Sequence, residues 1–160
     1  MSSWLDVALL AVLIVLNGVF AMSEISLVTS RRARLQRLID DKVAGAERAR
    51  ELNADPNRAL STIQVGITSI GILSGIVGES ALARPMEAFL VMVGLSPETA
   101  KAIGLFVVVV LITYFSIVMG ELVPKRIGQI SPERIACRLA PPIHCLSIIA
   151  APFVKLLSAS

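Results

Sequence analysis

Residues 102–128 read AIGLFVVVVLITYFSIVMGELVPKRIG, an uncharged run from Ala102 to Gly120 followed at once by Glu121 and, three residues on, by Pro124. A helix needs about 20 apolar residues to cross the hydrocarbon core, so the stretch predicts a transmembrane span that ends on an acid. Charge at membrane depth is costly and normally persists only with a task. Proline lacks an N–H, so the carbonyl four residues earlier, that of Gly120, loses its helical donor. In lipid that carbonyl must find another partner, because irregular backbone is tolerated only against protein or a cavity. The Gly120 carbonyl and the Glu121 carboxylate thus offer two oxygen ligands to a hard cation. The plainer alternative is a kinked helix end with a snorkelling acid.

Uncharged runs recur at Val7–Ser23, Ala59–Gly78 and Leu139–Val154. The chain is 55% hydrophobic and 17% charged, with a mean hydropathy of +0.78, too apolar for a soluble domain of this length. Three spans are expected, at about 5–27, 58–78 and 102–123. Pro141, Pro142 and Pro152 make the fourth run a broken or interfacial segment. The N-terminus lacks a basic leader and carries Asp6, so it does not read as a secretory signal. The fold class is an all-α membrane protein.

Between the first two spans, Leu35, Leu38, Ile39 and Val43 recur at helical spacing among Arg31, Arg32, Arg34, Arg37, Lys42, Arg48 and Arg50. This predicts a basic amphipathic helix over about 31–53, lying along an anionic membrane surface. A second juxtamembrane helix is expected over about 131–158. Glu79 to Lys101 forms the return connection, with Pro85, Gly94 and Pro97 as breakers and an apolar middle able to dip into the membrane. Eight Lys/Arg lie in 31–58, two in 79–101 and five after Glu121. The positive-inside rule puts the first and third of these segments in the cytoplasm, with the N-terminus outside. The pI near 9.2 comes with no basic stripe interleaved with aromatics, so nucleic acid is not expected as a partner.

Asn17, Ser23, Glu24 and Ser26 supply side-chain oxygens in the first span, with Glu24 free to pair with Arg31 or Arg32. The serines could equally bond to carbonyls of their own helix. In the second span Gln64, Thr68, Gly71 and Gly75 make one small, polar face. The Gly71–Gly75 spacing suits close helix packing, as in a homodimer, while Gln64 and Thr68 could complete a coordination shell. The candidate site is therefore Ser23, Ser26, Gln64, Thr68, Gly120 and Glu121. Its ligands are all oxygens, which favours Mg²⁺, Na⁺ or another hard cation over zinc or copper. No catalytic constellation is evident, so an enzyme is not expected. Cys137 and Cys145 stand about two helical turns apart, too far for a disulfide, and His144 is the single histidine of the sequence, a poor candidate for a metal ligand.

The segments NGVFAMSEISLVTSRRARL (17–35), TIQVGITSIGILSGIVG (62–78) and GELVPKRIG (120–128) resemble the transmembrane domain of the CNNM/CorC, or hemolysin C-like, family. The resemblance covers essentially the whole chain. It implies a homodimer of three-helix units with a short membrane-dipping region between the second and third helices and a cytoplasmic juxtamembrane belt. It also implies Mg²⁺ export coupled to Na⁺ across the plasma (inner) membrane. The family's ion sits on serine hydroxyls of the first helix, an asparagine of the second, and a glycine carbonyl and glutamate of the third. By position the last two fall on Gly120 and Glu121, and one serine on Ser23. Ala21 stands where a second serine is common, and Ile67 and Thr68 stand where the asparagine is expected. Members with similar TIQVG and ISPE segments resemble a polyamine exporter, and a non-transporting metal sensor is a further alternative. Family members usually continue into a pair of CBS domains that bind adenine nucleotide, which lie outside these residues.

Overall fold

The structure, a computed structural model, describes residues 3–158, with side chains for 4–57 and 59–145. It is an all-α membrane protein with three helices long and apolar enough to cross a bilayer. The elements are α1 (Ser3–Thr29), α2 (Arg32–Asp40), α3 (Ala46–Ala54), α4 (Pro56–Met92), α5 (Pro97–Ile117), a π-helical turn (Val118–Leu122), α6 (Val123–Ile130) and α7 (Pro132–Ser158).

Two of the three apolar helices outrun the boundaries that hydropathy predicts. The second does not stop at residue 78. It runs unbroken to Met92 through Pro85, because proline removes one backbone bond, that of the Ala81 carbonyl, while the flanking residues keep the helix paired. At 37 residues it is about 55 Å long, far more than a hydrocarbon core of about 30 Å. It ends in a Schellman motif, where the Leu95 N–H reaches the Leu90 carbonyl and the Gly94 N–H the Val91 carbonyl. Gly94 supplies the left-handed φ of +104° that this reversal needs. Ser96 then caps α5, its Oγ accepting from the Thr99 N–H at 3.4 Å, and Pro97 opens the helix. The third expected span stretches likewise, from Pro97 to Ile130, by passing its proline through the π-turn rather than ending at residue 123.

Outward faces of these helices carry Val12, Val15, Ile72, Ile76, Phe106, Val109, Val110 and Tyr114, all exposed, as a lipid-facing surface requires. One core joins Leu10, Val108 and Ile112 to Val77, Leu82 and Met86. The larger core lies at the other end, where Phe20, Leu27 and Ile63 meet Leu35, Ala49 and Leu52 of the short helices and Ala136, Ala140 and Ile143 of α7.

The expected single helix over 31–53 is two helices, α2 and α3. Lys42 and Gly45 adopt positive φ of 55° and 81° and reverse the chain between them. Any Cβ at Gly45 would fall 2.0 Å from the Cys137 carbonyl oxygen. Pro141 strips that same carbonyl of its helical donor, so the belt packs where α7 is locally open. The α7 helix itself continues past Pro141 and Pro142 rather than breaking there. Asn53 Nδ2 closes the end of α1 by donating to the Leu27 carbonyl at 3.0 Å. Buried Glu133 accepts the Arg31 backbone N–H at 3.3 Å and lies 3.8 Å from Arg34 Nη1, which ties α7 to the start of α2.

Candidate functional site

Pro124 cannot donate to the Gly120 carbonyl, and the chain answers by slipping register one residue earlier. The Val123 N–H bonds to the Val118 carbonyl, five residues back, which is the π-turn. The freed Gly120 carbonyl then accepts from Asn17 Nδ2 of α1 at 3.1 Å. The two helices come close enough because Gly18 has no side chain, a Cβ there lying 2.8 Å from Pro124 Cγ. Asn17 Oδ1 and, one turn before Gly120, Ser116 Oγ are buried without a hydrogen-bond partner.

Next to this junction lies a charged cluster drawn from three helices. Lys125 Nζ donates to Glu121 Oε1 at 2.6 Å and lies 3.3 Å from Glu24 Oε2 of α1. Gln64 Nε2 of α4 donates to the other oxygen of that carboxylate, Glu24 Oε1, at 3.2 Å. Side-chain exposures of 19% for Glu24, 31% for Lys125 and 43% for Glu121 make this a half-open seat rather than a sealed one. Its formal charge is −1, two carboxylates against one ammonium. Glu24 sits near the end of α1, Gln64 near the start of α4 and Glu121 late in the third span, so the seat lies at the end of the bundle where the belt attaches.

Of the residues expected to share a site, Glu121 and Gln64 are thus linked through Lys125 and Glu24, while Gly120 adjoins Glu121 in the chain and bonds to Asn17. Ser23 and Ser26 are not. Ser23 Oγ donates to the Val19 carbonyl at 2.7 Å and Ser26 Oγ to the Ser23 carbonyl at 3.1 Å. Ser26 is nine positions from Asn17, about two and a half turns, and so projects from the opposite face of α1. Both serines line a gap of about 10 Å³ with Leu52, Ile63, Ala136 and Ile143, room for hardly one water molecule. Thr68 lies exposed one turn beyond Gln64 on α4. Glu24 turns to Lys125 and Gln64 rather than to Arg31 or Arg32, because α6 packs along α1 at that level and Gly128 brings α6 against Met22 and Ile25.

Lys125 is the residue that sequence reasoning passes over, although its position four residues after Glu121 is the spacing of a helical ion pair. Asn17 is visible in the sequence only as an oxygen source, whereas in the structure its amide nitrogen makes the contact. Among the described residues no three His, Cys, Asp or Glu side chains gather as a metal cluster. The oxygens fall into two groups, the Glu24 and Glu121 carboxylates on Lys125 and the Gly120 carbonyl with Asn17 Oδ1 at the proline junction.

Comparison with known proteins matches residues 8–160 to the family described as the cyclin M transmembrane N-terminal domain, CNNM. The chain is 43% identical over 156 residues to the UPF0053 protein sll0260 of Synechocystis, an alignment covering 98% of this chain and 35% of that protein. It is 33% identical over 152 residues to the UPF0053 protein YhdT of Bacillus subtilis, covering 95% and 33%. It is 32% identical over 142 residues to the polyamine export protein of Escherichia coli K12, covering 89% and 32%. The chain therefore spans about a third of the length of the curated relatives it matches.

Proposed function

The chain belongs to the CNNM transmembrane-domain family, and we propose that it is the membrane-embedded translocation unit of a cation exporter. The observation that carries this reading is the meeting of Glu24 and Glu121, acids from two different apolar helices, on one cationic position beside a backbone carbonyl freed by proline. Two carboxylates converging on one ammonium leave the seat with a formal charge of −1, so the pair is suited to receive further positive charge.

The cargo we favour is an organic ammonium of the polyamine class. A primary ammonium needs a few acceptors without a fixed polyhedron, and the seat already receives one, that of Lys125, on carboxylate oxygens. The relatives named polyamine export protein in Escherichia coli and Salmonella typhimurium, each 32% identical, support this choice. Mg²⁺ is the second reading, with Na⁺ as the coupling ion. It is favoured by the hard oxygens of Glu121, Gly120 and Asn17, with retained waters filling the positions that Ser23 and Ser26 leave empty. In either case the basic belt supports, by the positive-inside rule, a seat at the cytoplasmic end, with cargo entering from the cytoplasm. A homodimer would bury the Gly71–Gly75 face of α4.

The test is flux of spermidine and of Mg²⁺ through proteoliposomes holding the full-length protein, native or Glu121→Gln. The substitution removes a charged hydrogen-bond acceptor and lowers flux of the true cargo roughly tenfold or more, with helicity and melting temperature retained. Equal flux in both proteins would take Glu121 out of the path. Cation binding by the native protein without any flux would favour a sensor.

A further inference from the structure

Lys125 occupies the seat that the proposed function assigns to cargo. Its ammonium lies 2.6 Å from Glu121 and 3.3 Å from Glu24. It reaches back four residues across Pro124, the point where the backbone bond to Gly120 is missing. We propose that Lys125 is a tethered competitor that sets cation specificity: its ammonium fills the seat when cargo is absent and withdraws when cargo enters. The inference rests on the reading of Glu24 and Glu121 as the cargo seat.

Three considerations carry it. Two cations cannot share the position, since unit charges about 4 Å apart repel by about 1 kcal/mol in water and about 4 kcal/mol at an effective dielectric of 20. Lys125 also has a way out, because it is partly exposed on a flexible stem near the belt end of the bundle. Finally, a tethered group acts at an effective concentration in the millimolar range or above. A monovalent ion that replaces Lys125 exchanges one charge for one and gains little against such a tether. A divalent ion or a polyamine brings a second charge and takes the seat from −1, with Lys125 in place, to neutral or beyond. Lys125 thereby screens out monovalent cations and admits polyvalent ones. Its departure also releases the tie between α6 and α1 through Glu24, so cargo entry loosens one side of the π-turn.

The experiment measures equilibrium binding of spermidine and of Mg²⁺ to the full-length protein in lipid nanodiscs, with and without excess Na⁺ or methylammonium. Lys125→Gln, which removes the charge and keeps a polar stem, is expected to bind the cargo about tenfold more tightly and to become sensitive to monovalent ions that the native protein resists. Lys125→Arg restores the native pattern. Unchanged or weaker binding by the Gln variant at a native-like melting temperature overturns the proposal and leaves Lys125 a structural bridge. A second measurement needs no substitution. Acylation of Lys125 in the native protein, followed by mass spectrometry, should rise when spermidine or Mg²⁺ is added, and labelling that neither cation raises overturns the proposal. Both readouts report occupancy rather than flux. A transporter whose flux depends on Glu121 can therefore fail them, and a non-transporting binder can pass them.

Discussion

Asn17 converts a backbone defect into a contact between helices. A carbonyl orphaned by proline would cost free energy in lipid, and the amide nitrogen of Asn17 satisfies it across the α1 interface at 3.1 Å. Replacing Asn17 with Leu keeps the volume and removes the donor, leaving the buried Gly120 carbonyl unpaired at a cost of about 1–3 kcal/mol. A drop in melting temperature in detergent is the expected outcome, and a variant as stable as the native protein would show that water satisfies the carbonyl instead. Gly18 carries a separate constraint. Its missing Cβ would sit 2.8 Å from Pro124 Cγ and 3.3 Å from the Met119 carbonyl, so Gly18→Val forces α1 away from the π-turn. We expect a loss of stability of about 1–3 kcal/mol together with weaker cation binding.

The π-turn lets one long apolar helix carry both a proline and an acid without ending. Register slips by one residue between Val118 and Val123, and π-bulges of this kind recur at functional sites. Pro124→Ala restores an N–H that competes with Asn17 for the Gly120 carbonyl, so α5 and α6 can close into one regular helix. Stability should be retained or rise while transport falls, the two readings being melting temperature and proteoliposome flux. A variant that transports as fast as the native protein would mean that the irregular turn is incidental. Much of this element was legible in advance, because the Gly120–Glu121–Pro124 spacing alone identifies a freed carbonyl beside an acid. Its length was not, since hydropathy averages over a window and cannot tell a helix that stops at a proline from one that bypasses it.

In the whole chain, the apolar bundle and the basic belt meet through a few polar anchors, Asn53 on the end of α1 and Glu133 on the start of α2. The two thiols of α7 report on that docking. Cys137 is buried in the belt core and Cys145 is exposed. Burial pushes the Cys137 thiol above its ordinary range by disfavouring the thiolate, with the Glu133 carboxylate acting in the same direction. A raised folded pKa stabilises the fold at neutral pH, and that contribution fades as pH climbs through the raised value. Alkylation at neutral pH should therefore modify Cys145 and spare Cys137, with Cys137 protection declining at alkaline pH or when Glu133→Ala loosens the belt. Peptide mass spectrometry distinguishes the two cysteines, and equal labelling of both at neutral pH would refute the docked belt.

Composition and periodicity were enough for an all-helical chain with three apolar helices, because hydropathy and helix formation are properties of neighbouring residues. They were also enough to say which carbonyl proline would free. They could not say that Asn17 would take it, that Glu24 would face Lys125 instead of the arginines, or that Ser23 and Ser26 would turn toward α7. Each of those depends on how far one helix is rotated about its axis against another. That rotation is set by side chains distant in sequence packing into one core, and no local pattern records it.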